Sequence, residues 1–240
     1  MTLSSKTAAE CMAKTVLVTG SNRGIGLGLT KKYAAAGFTT IATCRNPAGS
    51  VLPELTKQYD NLSVHSLDVT NETELEELAI ALEGQTVDVL LNNAGIQGSD
   101  NQGIENMDYD MWQEVLLVNT IAPFRITMKF LPNLKQSSNP KAITISSQMG
   151  ALTRQSKGMY AYRTSKAAAN KVMQVLSLDL ADDGIICCPV HPGWVTTEMG
   201  GPNADIDLEE SVEGLYALIE NLTLADSGRF WTWEGTEHAW

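Results

Sequence analysis

The chain has 240 residues, of which 43% are hydrophobic, and this length supports one sizeable core. Its formal net charge of -11 at pH 7 repels phosphate backbones and anionic lipid, which argues against nucleic-acid and membrane-surface partners. We find no signal peptide, no apolar run that could span a bilayer and no disulfide or metal-ligand spacing among the four cysteines, so we expect a cytoplasmic protein without a metal site.

A strand, a glycine-rich turn and a helix are predicted in succession near the N-terminus. Residues 1–13 are expected to form an extension, residues 14–19 a buried strand and residues 27–36 a helix. Gly20, Gly24 and Gly26 lie between the strand and the helix. Such a turn lets backbone N–H groups and the helix start face a pyrophosphate. It indicates a dinucleotide site, and a tight connection that binds nothing is the alternative.

Further strand-like runs alternate with helix-length segments along the rest of the chain. The predicted strands cover residues 39–44, 62–67, 87–91, 142–146 and 185–190. Helices are expected over residues 72–83, 107–131 and 160–181. This alternation predicts one α/β domain over residues 14–240, with a parallel sheet covered by helices on both faces.

The end of the second strand bears on the choice of cofactor. In dinucleotide folds an acidic residue at this place binds the adenosine ribose and selects NAD. This chain has Cys44 there, followed by Arg45, whose guanidinium can pair with a 2′-phosphate. The pattern favours NADPH over NADH, with a solvated Arg45 as the alternative.

Tyr162 and Lys166 lie four residues apart and therefore share one face of the predicted helix 160–181. A free phenol has a pKa of about 10, and a nearby ammonium stabilises the phenolate and lowers that pKa. The pair therefore predicts a proton donor that works near neutral pH. The alternative is an exposed helical pair worth a few tenths of a kcal/mol.

Several segments match one protein family in their order and separation. They are TGSNRGIG, the run Asn92-Asn93-Ala94-Gly95, Asn119, Ser146 with Ser147, Tyr162 with Lys166, and Pro192-Gly193. On these residues the chain resembles the short-chain dehydrogenase/reductase superfamily almost end to end. SSQMGAL, YAYRTSKAA and the tail SGRFWTWEGTEHAW resemble the carbonyl reductases of the C-factor and sniffer type. The resemblance implies a Rossmann fold with a mostly parallel sheet of about seven strands.

The resemblance also implies a catalytic role for four residues. Tyr162 is expected to donate a proton, Lys166 to lower the pKa of that phenol and bind the nicotinamide ribose, and Ser147 to hydrogen-bond the substrate oxygen. Ser146 is the alternative to Ser147, because adjacent residues of a strand face opposite sides. Asn119 is expected to hold a water linked to the lysine, and the alternative is an asparagine that satisfies backbone groups in a helix kink.

NADP(H) is the expected cofactor, and the family motifs predict which residues bind it. These residues are Gly20, Asn22, Arg23, Gly24, Ile25, Gly26, Arg45, Asp68, Val69, Asn92, Ala94, Gly95, Tyr162, Lys166, Pro192, Gly193, Val195 and Thr197. Arg23 is a second candidate for the 2′-phosphate, and Asp68 with Val69 for the adenine. Asp68 also fits a residue that only shapes a turn. His191 directly precedes Pro192. A single histidine at the end of a strand is more typical of a structural role than of acid/base catalysis.

Together these features predict an NADPH-dependent carbonyl reductase that acts reversibly on a ketone or aldehyde. The alternative is a dinucleotide-binding signalling or regulatory protein with vestigial catalysis. The pocket walls are expected from Ile96, Gln97, Met149, Tyr160, Trp194 and Met199, which favour bulky or aromatic substrates. Residues 197–207 are expected to form a lid. A homodimer or homotetramer is expected to form through helices 107–131 and 160–181.

Overall fold

A computed structural model describes residues 13–240 of the chain. The predicted extension lies outside the described residues except for residue 13, and so does Cys11. The strands are β1 (Thr15–Thr19), β2 (Thr39–Cys44), β3 (Leu62–Ser66), β4 (Val89–Asn92), β5 (Lys141–Ile145), β6 (Ile186–His191) and β7 (Trp231–Thr232). They form one sheet in the order β3-β2-β1-β4-β5-β6-β7, and all neighbouring pairs are parallel. The predicted parallel α/β fold is confirmed.

The helices connect these strands and cover both faces of the sheet. They are α1 (Gly24–Ala35), α2 (Leu52–Leu55), α3 (Glu72–Ala81), α4 (Tyr109–Leu116), α5 (Ala122–Lys129), α6 (Leu131–Leu134), α7 (Tyr160–Asp179) and α8 (Leu208–Asn221). No helix within residues 13–240 is long and apolar enough to cross a membrane.

Two of the three apolar clusters among the described residues lie on opposite faces of the sheet. On one face Leu75 of α3, Ile126 of α5 and Met173 of α7 are buried in one cluster. On the other face Leu29 of α1 and Leu215 of α8 are buried in a second cluster. Every residue of β1, β4, β5 and β6 is buried, as expected for strands covered on both sides. These strands are accordingly dominated by apolar and β-branched residues.

The predicted helix 107–131 is not continuous. A π-helical turn, Leu117–Ile121, separates α4 from α5. Pro123 lies in the first turn of α5 and has no N–H to donate to the carbonyl of Asn119, four residues before it. The α-helical ladder is therefore broken at Asn119, and π-turns of this kind are frequent at functional sites.

Residues 197–207, which were expected to form a lid, contain no helix and lead from β6 into α8. Both ends of this segment are fixed by backbone hydrogen bonds. Thr196 N–H donates to the Ile206 carbonyl at 2.9 Å, and Ile206 N–H donates to the Trp194 carbonyl at 3.1 Å. The segment is thus a loop whose two ends are joined by backbone hydrogen bonds.

Candidate active site

A groove of about 700 Å³ runs along the carboxyl ends of the strands. It lies where the strand order changes direction between β1 and β4, which is the usual ligand position in open α/β sheets. The predicted residues that line it are Gly20, Asn22, Arg23, Gly24, Ile25, Gly26, Arg45, Asp68, Val69, Ala94, Gly95, Tyr162, Lys166, Pro192 and Thr197. Residues separated by up to about 177 positions in sequence thus meet in one cavity.

The glycine turn at one side of the groove has no room for side chains. Gly20 has φ +68°, and a Cβ on it would lie 2.9 Å from Ala94 Cα. A Cβ on Gly26 would lie 2.3 Å from the Gly20 carbonyl oxygen. Helix α1 begins directly after this turn, and its N-cap residue Arg23 makes no side-chain cap. The first N–H groups of α1 therefore suit an anion, and the turn fits a dinucleotide pyrophosphate.

Asn93, a member of the predicted Asn92-Asn93-Ala94-Gly95 motif, connects this turn to the loop after β4. Its Nδ2 donates to the carbonyls of Thr19 at 2.9 Å and Gly20 at 3.1 Å. The Thr19 hydroxyl in turn accepts from the backbone N–H groups of Asn93 and Ala94, each at 3.1 Å. These contacts hold two neighbouring loops of the groove in one fixed arrangement.

The end of β2 and the loop after β3 supply the charged part of the groove. Arg45 is exposed there, and Arg23 forms an ion pair with Glu198. Asp68 accepts from the Thr70 N–H at 2.9 Å and from its hydroxyl at 2.7 Å. Burial acts to raise the pKa of Asp68, but these bonds and the Arg45 charge outweigh it and lower the pKa. Asp68 therefore shapes its turn while it also lines the groove.

Helix α7 carries Tyr162 and Lys166 to the opposite side of the groove. The Lys166 ammonium lies 5.8 Å from the Tyr162 ring centroid and donates to the Ile145 carbonyl at 2.8 Å. Burial lowers the pKa of Lys166 to about 8. Burial also raises the pKa of Tyr162, although a hydrogen bond with the Ser147 side chain acts in the opposite direction. The structure differs here from the prediction that Lys166 lowers the phenol pKa, because desolvation of the phenol is the larger effect.

The two adjacent serines at the end of β5 have different partners. The Ser146 hydroxyl donates to Asn170 Oδ1, and Ser146 also lines the groove. The Ser147 hydroxyl accepts from the Met149 N–H at 3.1 Å and faces the Tyr162 phenol. The alternation along the strand therefore presents Ser147 to Tyr162 and commits Ser146 to α7.

Asn119 lies in the π-helical turn and joins the loop after β4 to α7. Its Oδ1 accepts from the Ile96 N–H at 2.9 Å, and its Nδ2 donates to the Ile96 carbonyl at 2.7 Å and to the Ser165 hydroxyl at 3.0 Å. A Cβ on Gly95 would lie 3.2 Å from Asn119 Oδ1 and 3.5 Å from Lys166 Nζ. The Asn119 side chain therefore does what the kink alternative describes, within reach of the lysine.

Three residues predicted to bind the cofactor, Asn92, Gly193 and Val195, are not among the residues that line the groove. Asn92 is 2% exposed, and its Nδ2 donates to the Thr127 hydroxyl at 3.1 Å. Val195 is 4% exposed, and a Cβ on Gly193 would collide with Ile206. For Asn92 the reason is its place inside β4, where its side chain faces α5.

Of the residues predicted to form the pocket walls, Ile96 and Met199 line the groove, whereas Gln97, Met149, Tyr160 and Trp194 do not. Trp194 Nε1 donates to the Gly200 carbonyl at 2.8 Å. His191 is buried, and burial together with the charges of His238 and Arg154 lowers its pKa to about 4. It therefore stays neutral at ordinary pH, as a structural histidine does.

The segment after β7 returns to the loop that follows Ser147. The Thr153 N–H donates to the Trp240 carbonyl at 3.0 Å, and the Trp240 ring stacks on Phe230 at 5.8 Å. Phe230 is fully buried beside β7. The segment after β7 is thereby packed against the core, and its last residue contacts the loop between β5 and α7.

Comparison with known proteins identifies relatives of this arrangement. The family model described as short chain dehydrogenase matches residues 14–206. C-signal of Myxococcus xanthus is 39% identical over 155 residues, which cover 64% of this chain and 93% of C-signal.

Two solved structures are similar over nearly the whole chain. An NADPH-bound carbonyl reductase from chicken fatty liver is 37% identical with a TM-score of 0.90, and the match covers 95% of this chain and 99% of that one. The carbonyl reductase Sniffer of D. melanogaster is 33% identical with a TM-score of 0.88, covering 95% of this chain and 100% of that one. With the glycine turn, the tyrosine and the lysine that line one groove, these matches establish that the chain belongs to the short-chain dehydrogenase family of oxidoreductases.

Proposed function

We propose that the chain is an NADPH-dependent carbonyl reductase in which Tyr162 is the general acid. The observation that carries the proposal is the arrangement of Ser147, Tyr162 and Lys166 beside a groove that also contains the glycine turn. The reaction reduces a ketone or aldehyde and, in reverse, oxidises a secondary alcohol.

NADP(H) is the cofactor that the charge distribution favours. Arg23 and Arg45 both line the groove, while the place of the NAD-selecting carboxylate is occupied by Cys44. The likeness to an NADPH-bound carbonyl reductase supports the same choice. The glycine turn leaves space for the pyrophosphate, so the residues present fit this cofactor.

When bound, NADPH supplies the hydride for the substrate carbonyl carbon. Two side chains of the protein bind and protonate the substrate carbonyl oxygen. The Ser147 hydroxyl donates a hydrogen bond to the carbonyl oxygen, and the Tyr162 hydroxyl transfers its proton as negative charge develops there. The Lys166 ammonium lies 5.8 Å from the centroid of the Tyr162 ring, and its charge is proposed to offset part of the burial that raises the phenol pKa. Tyr162 then regains a proton before the next cycle.

The substrate end of the groove favours apolar carbonyl compounds. Ile96 and Met199 line the groove, and Trp194 and Tyr160, the aromatic residues among the predicted pocket walls, are 45% and 42% exposed. Such side chains bind aromatic or bulky aliphatic groups more readily than sugars or charged acids. We therefore propose bulky ketones and aldehydes as the substrate class.

A second function, nucleotide-dependent signalling with vestigial catalysis, is favoured by the 39% identity to C-signal. A protein that only binds a dinucleotide needs the glycine turn but has no use for a proton donor.

The test follows NADPH and NADH absorbance with a panel of bulky ketones and aldehydes, for the unmodified protein, Tyr162→Phe and Tyr109→Phe. Tyr109 is exposed on α4, so its variant controls for loss of a hydroxyl.

NADPH-dependent turnover that Tyr162→Phe abolishes and Tyr109→Phe retains would support the reductase. Tight NADPH binding with no turnover across the panel would favour the signalling function.

We also propose that the chain self-associates through the exposed apolar residues of the π-helical turn, α5 and α7. These are Ile121, Phe124, Val175 and Leu178, which are 47%, 44%, 42% and 74% exposed. Burying such a face is favourable in proportion to its apolar area. Light scattering of the unmodified protein and of Phe124→Glu tests this proposal, since a charge among these apolar residues should yield monomers.

A further inference from the structure

Helix α7, which carries Tyr162 and Lys166, begins without a cap of its own. Its N-cap residue, Met159, has a left-handed backbone with φ +54° and makes no side-chain cap. A non-glycine residue in this region is uncommon. The first N–H groups of any helix lack intrahelical acceptors and need partners from elsewhere.

Gln102, in the loop between β4 and α4, supplies two of these partners. Its side-chain Oε1 accepts from the Tyr162 N–H at 3.1 Å, and its backbone carbonyl accepts from the Tyr160 N–H at 3.3 Å. Gln102 is 4% exposed, so water does not compete for these bonds. A residue 60 positions away in sequence thus caps the first turn of α7.

The other end of the same amide organises the loop that begins at the groove. Its Nε2 donates to the Gln97 carbonyl at 3.1 Å and to the Ser99 carbonyl at 2.8 Å. Gln97 directly follows Ile96, which lines the groove. Only one orientation of the amide satisfies these two carbonyls and the Tyr162 N–H together, because the reverse would oppose donor to donor. One buried side chain therefore connects the pocket wall to the catalytic helix.

We propose that Gln102 is a positioning residue, which fixes the first turn of α7 against the substrate-side loop and so places the Tyr162 hydroxyl at the substrate. The inference rests on the proposed reductase function. Tyr162 is in the first turn of the helix, so its side chain follows any movement of that turn. A misplacement of about 1 Å at a reacting group can reduce the rate about a hundredfold.

Two substitutions separate the functions of the amide. Gln102→Met keeps the length of the side chain but removes the acceptor and both donors. Gln102→Glu keeps an oxygen that can accept from the Tyr162 N–H but cannot donate to the two loop carbonyls while ionised.

The matched control is Asn133→Leu. Asn133 is 5% exposed, and its amide donates to the carbonyls of Leu82 at 2.7 Å and Gln85 at 2.8 Å. It makes the same kind of loop contact at the amino edge of the sheet, far from the groove.

We expect all three variants to melt at a lower temperature than the unmodified protein. Gln102→Met should also lower kcat about 10-fold to 100-fold and raise the substrate KM, with the Kd for NADPH unchanged. Gln102→Glu should recover much of the kcat and retain the raised KM. Asn133→Leu should keep both values. A kcat in Gln102→Met that falls no further than in Asn133→Leu, or a Gln102→Glu variant with no recovery, would overturn the proposal.

An ultraviolet titration of the Tyr162 phenol separates this proposal from the proposed function and needs no turnover. Subtracting the titration of Tyr162→Phe isolates this phenol from the other tyrosines. Burial holds the pKa of Tyr162 above its ordinary value, so a displaced phenol should titrate at a lower pH in Gln102→Met and unchanged in Asn133→Leu. An unchanged titration in Gln102→Met would overturn the positioning role. If Gln102→Met does not fold, Gln102→Asn, which shortens the amide by one methylene, takes its place in both measurements.

Discussion

The Arg23 guanidinium in the glycine turn is paired with the carboxylate of Glu198, in the loop between β6 and α8. The ion pair joins two sides of the groove, since both residues line it. Their side chains are 57% and 75% exposed, so the pair is weak and exchangeable. A 2′-phosphate that binds Arg23 would have to displace Glu198, whose charge also repels the phosphate.

Replacing Glu198 should therefore strengthen NADPH binding. We expect Glu198→Gln to lower the Kd for NADPH about 2-fold to 5-fold, which corresponds to about 0.4–1 kcal/mol for an exposed pair, and to change the Kd for NADH less. The control is Glu213→Gln, which breaks the exposed pair between Glu213 and Lys32 on α1. Fluorescence titration with both nucleotides measures the Kd values. A Kd for NADPH that rises in Glu198→Gln contradicts the competition.

The two serines at the end of β5 should behave differently on substitution. Ser147→Ala should lower kcat about a hundredfold, because it removes the hydroxyl that faces Tyr162 and the substrate oxygen. Ser146→Ala should leave kcat within a few-fold and lower stability by about 1–3 kcal/mol, since Asn170 loses its buried partner. Steady-state kinetics and urea unfolding of both variants provide the measurements. The assignment fails if Ser146→Ala has the larger kinetic defect.

The buried ammonium of Lys166 should make stability depend on alkaline pH. Its pKa is lowered from 10.5 to about 8, so between these values the unfolded chain holds a proton that the folded chain has released. Stability from this group therefore rises as the pH increases from about 8 to 10.5, by about 3 kcal/mol at most. Urea unfolding of the unmodified protein should show this gain relative to Lys166→Met. Lys171→Met changes an exposed lysine of the same helix and keeps Lys166. It should therefore gain stability with pH as the unmodified protein does.

Gly26→Ala should damage the glycine turn. The added Cβ would lie 2.3 Å from the Gly20 carbonyl oxygen, which is a backbone atom, so the turn has to shift. We expect a loss of about 1–3 kcal/mol in stability and at least about a tenfold weaker Kd for NADPH. Gly84→Ala is the control, because Gly84 has φ +74° and no atom within 4 Å of the added Cβ. It should lose about 1–2 kcal/mol through backbone strain and bind NADPH normally.

The strands of the fold could be predicted from sequence to within about two residues. A strand buried on both faces is rich in β-branched and apolar residues, as Thr39–Cys44 shows for β2. Strand β7 was not located because two residues give no periodicity, and only its pairing with β6 identifies it. The break between α4 and α5 was also missed, although Pro123 is a sequence signal for it.

In the site, local motifs were more informative than long-range partners. The glycine turn could be predicted because its backbone conformation requires glycine at fixed positions within a few consecutive residues. Glu198 and Gln102 could not be predicted, since their contacts with Arg23 and Tyr162 exist only after folding. The pKa of Tyr162 differs from its prediction for the same reason, because four-residue spacing does not reveal how far a side chain is desolvated.

The contact between Trp240 and Thr153 bears on how the protein should be produced for these measurements. A peptide fused after Trp240 would start beside the loop that connects Ser147 to α7, and would press on the region whose kinetics are to be compared. Strand β1 begins with Thr15 at the opposite, amino edge of the sheet. The first described residues therefore lie at the edge of the sheet away from the groove, whereas Trp240 lies beside the loop that leads to the helix of Tyr162.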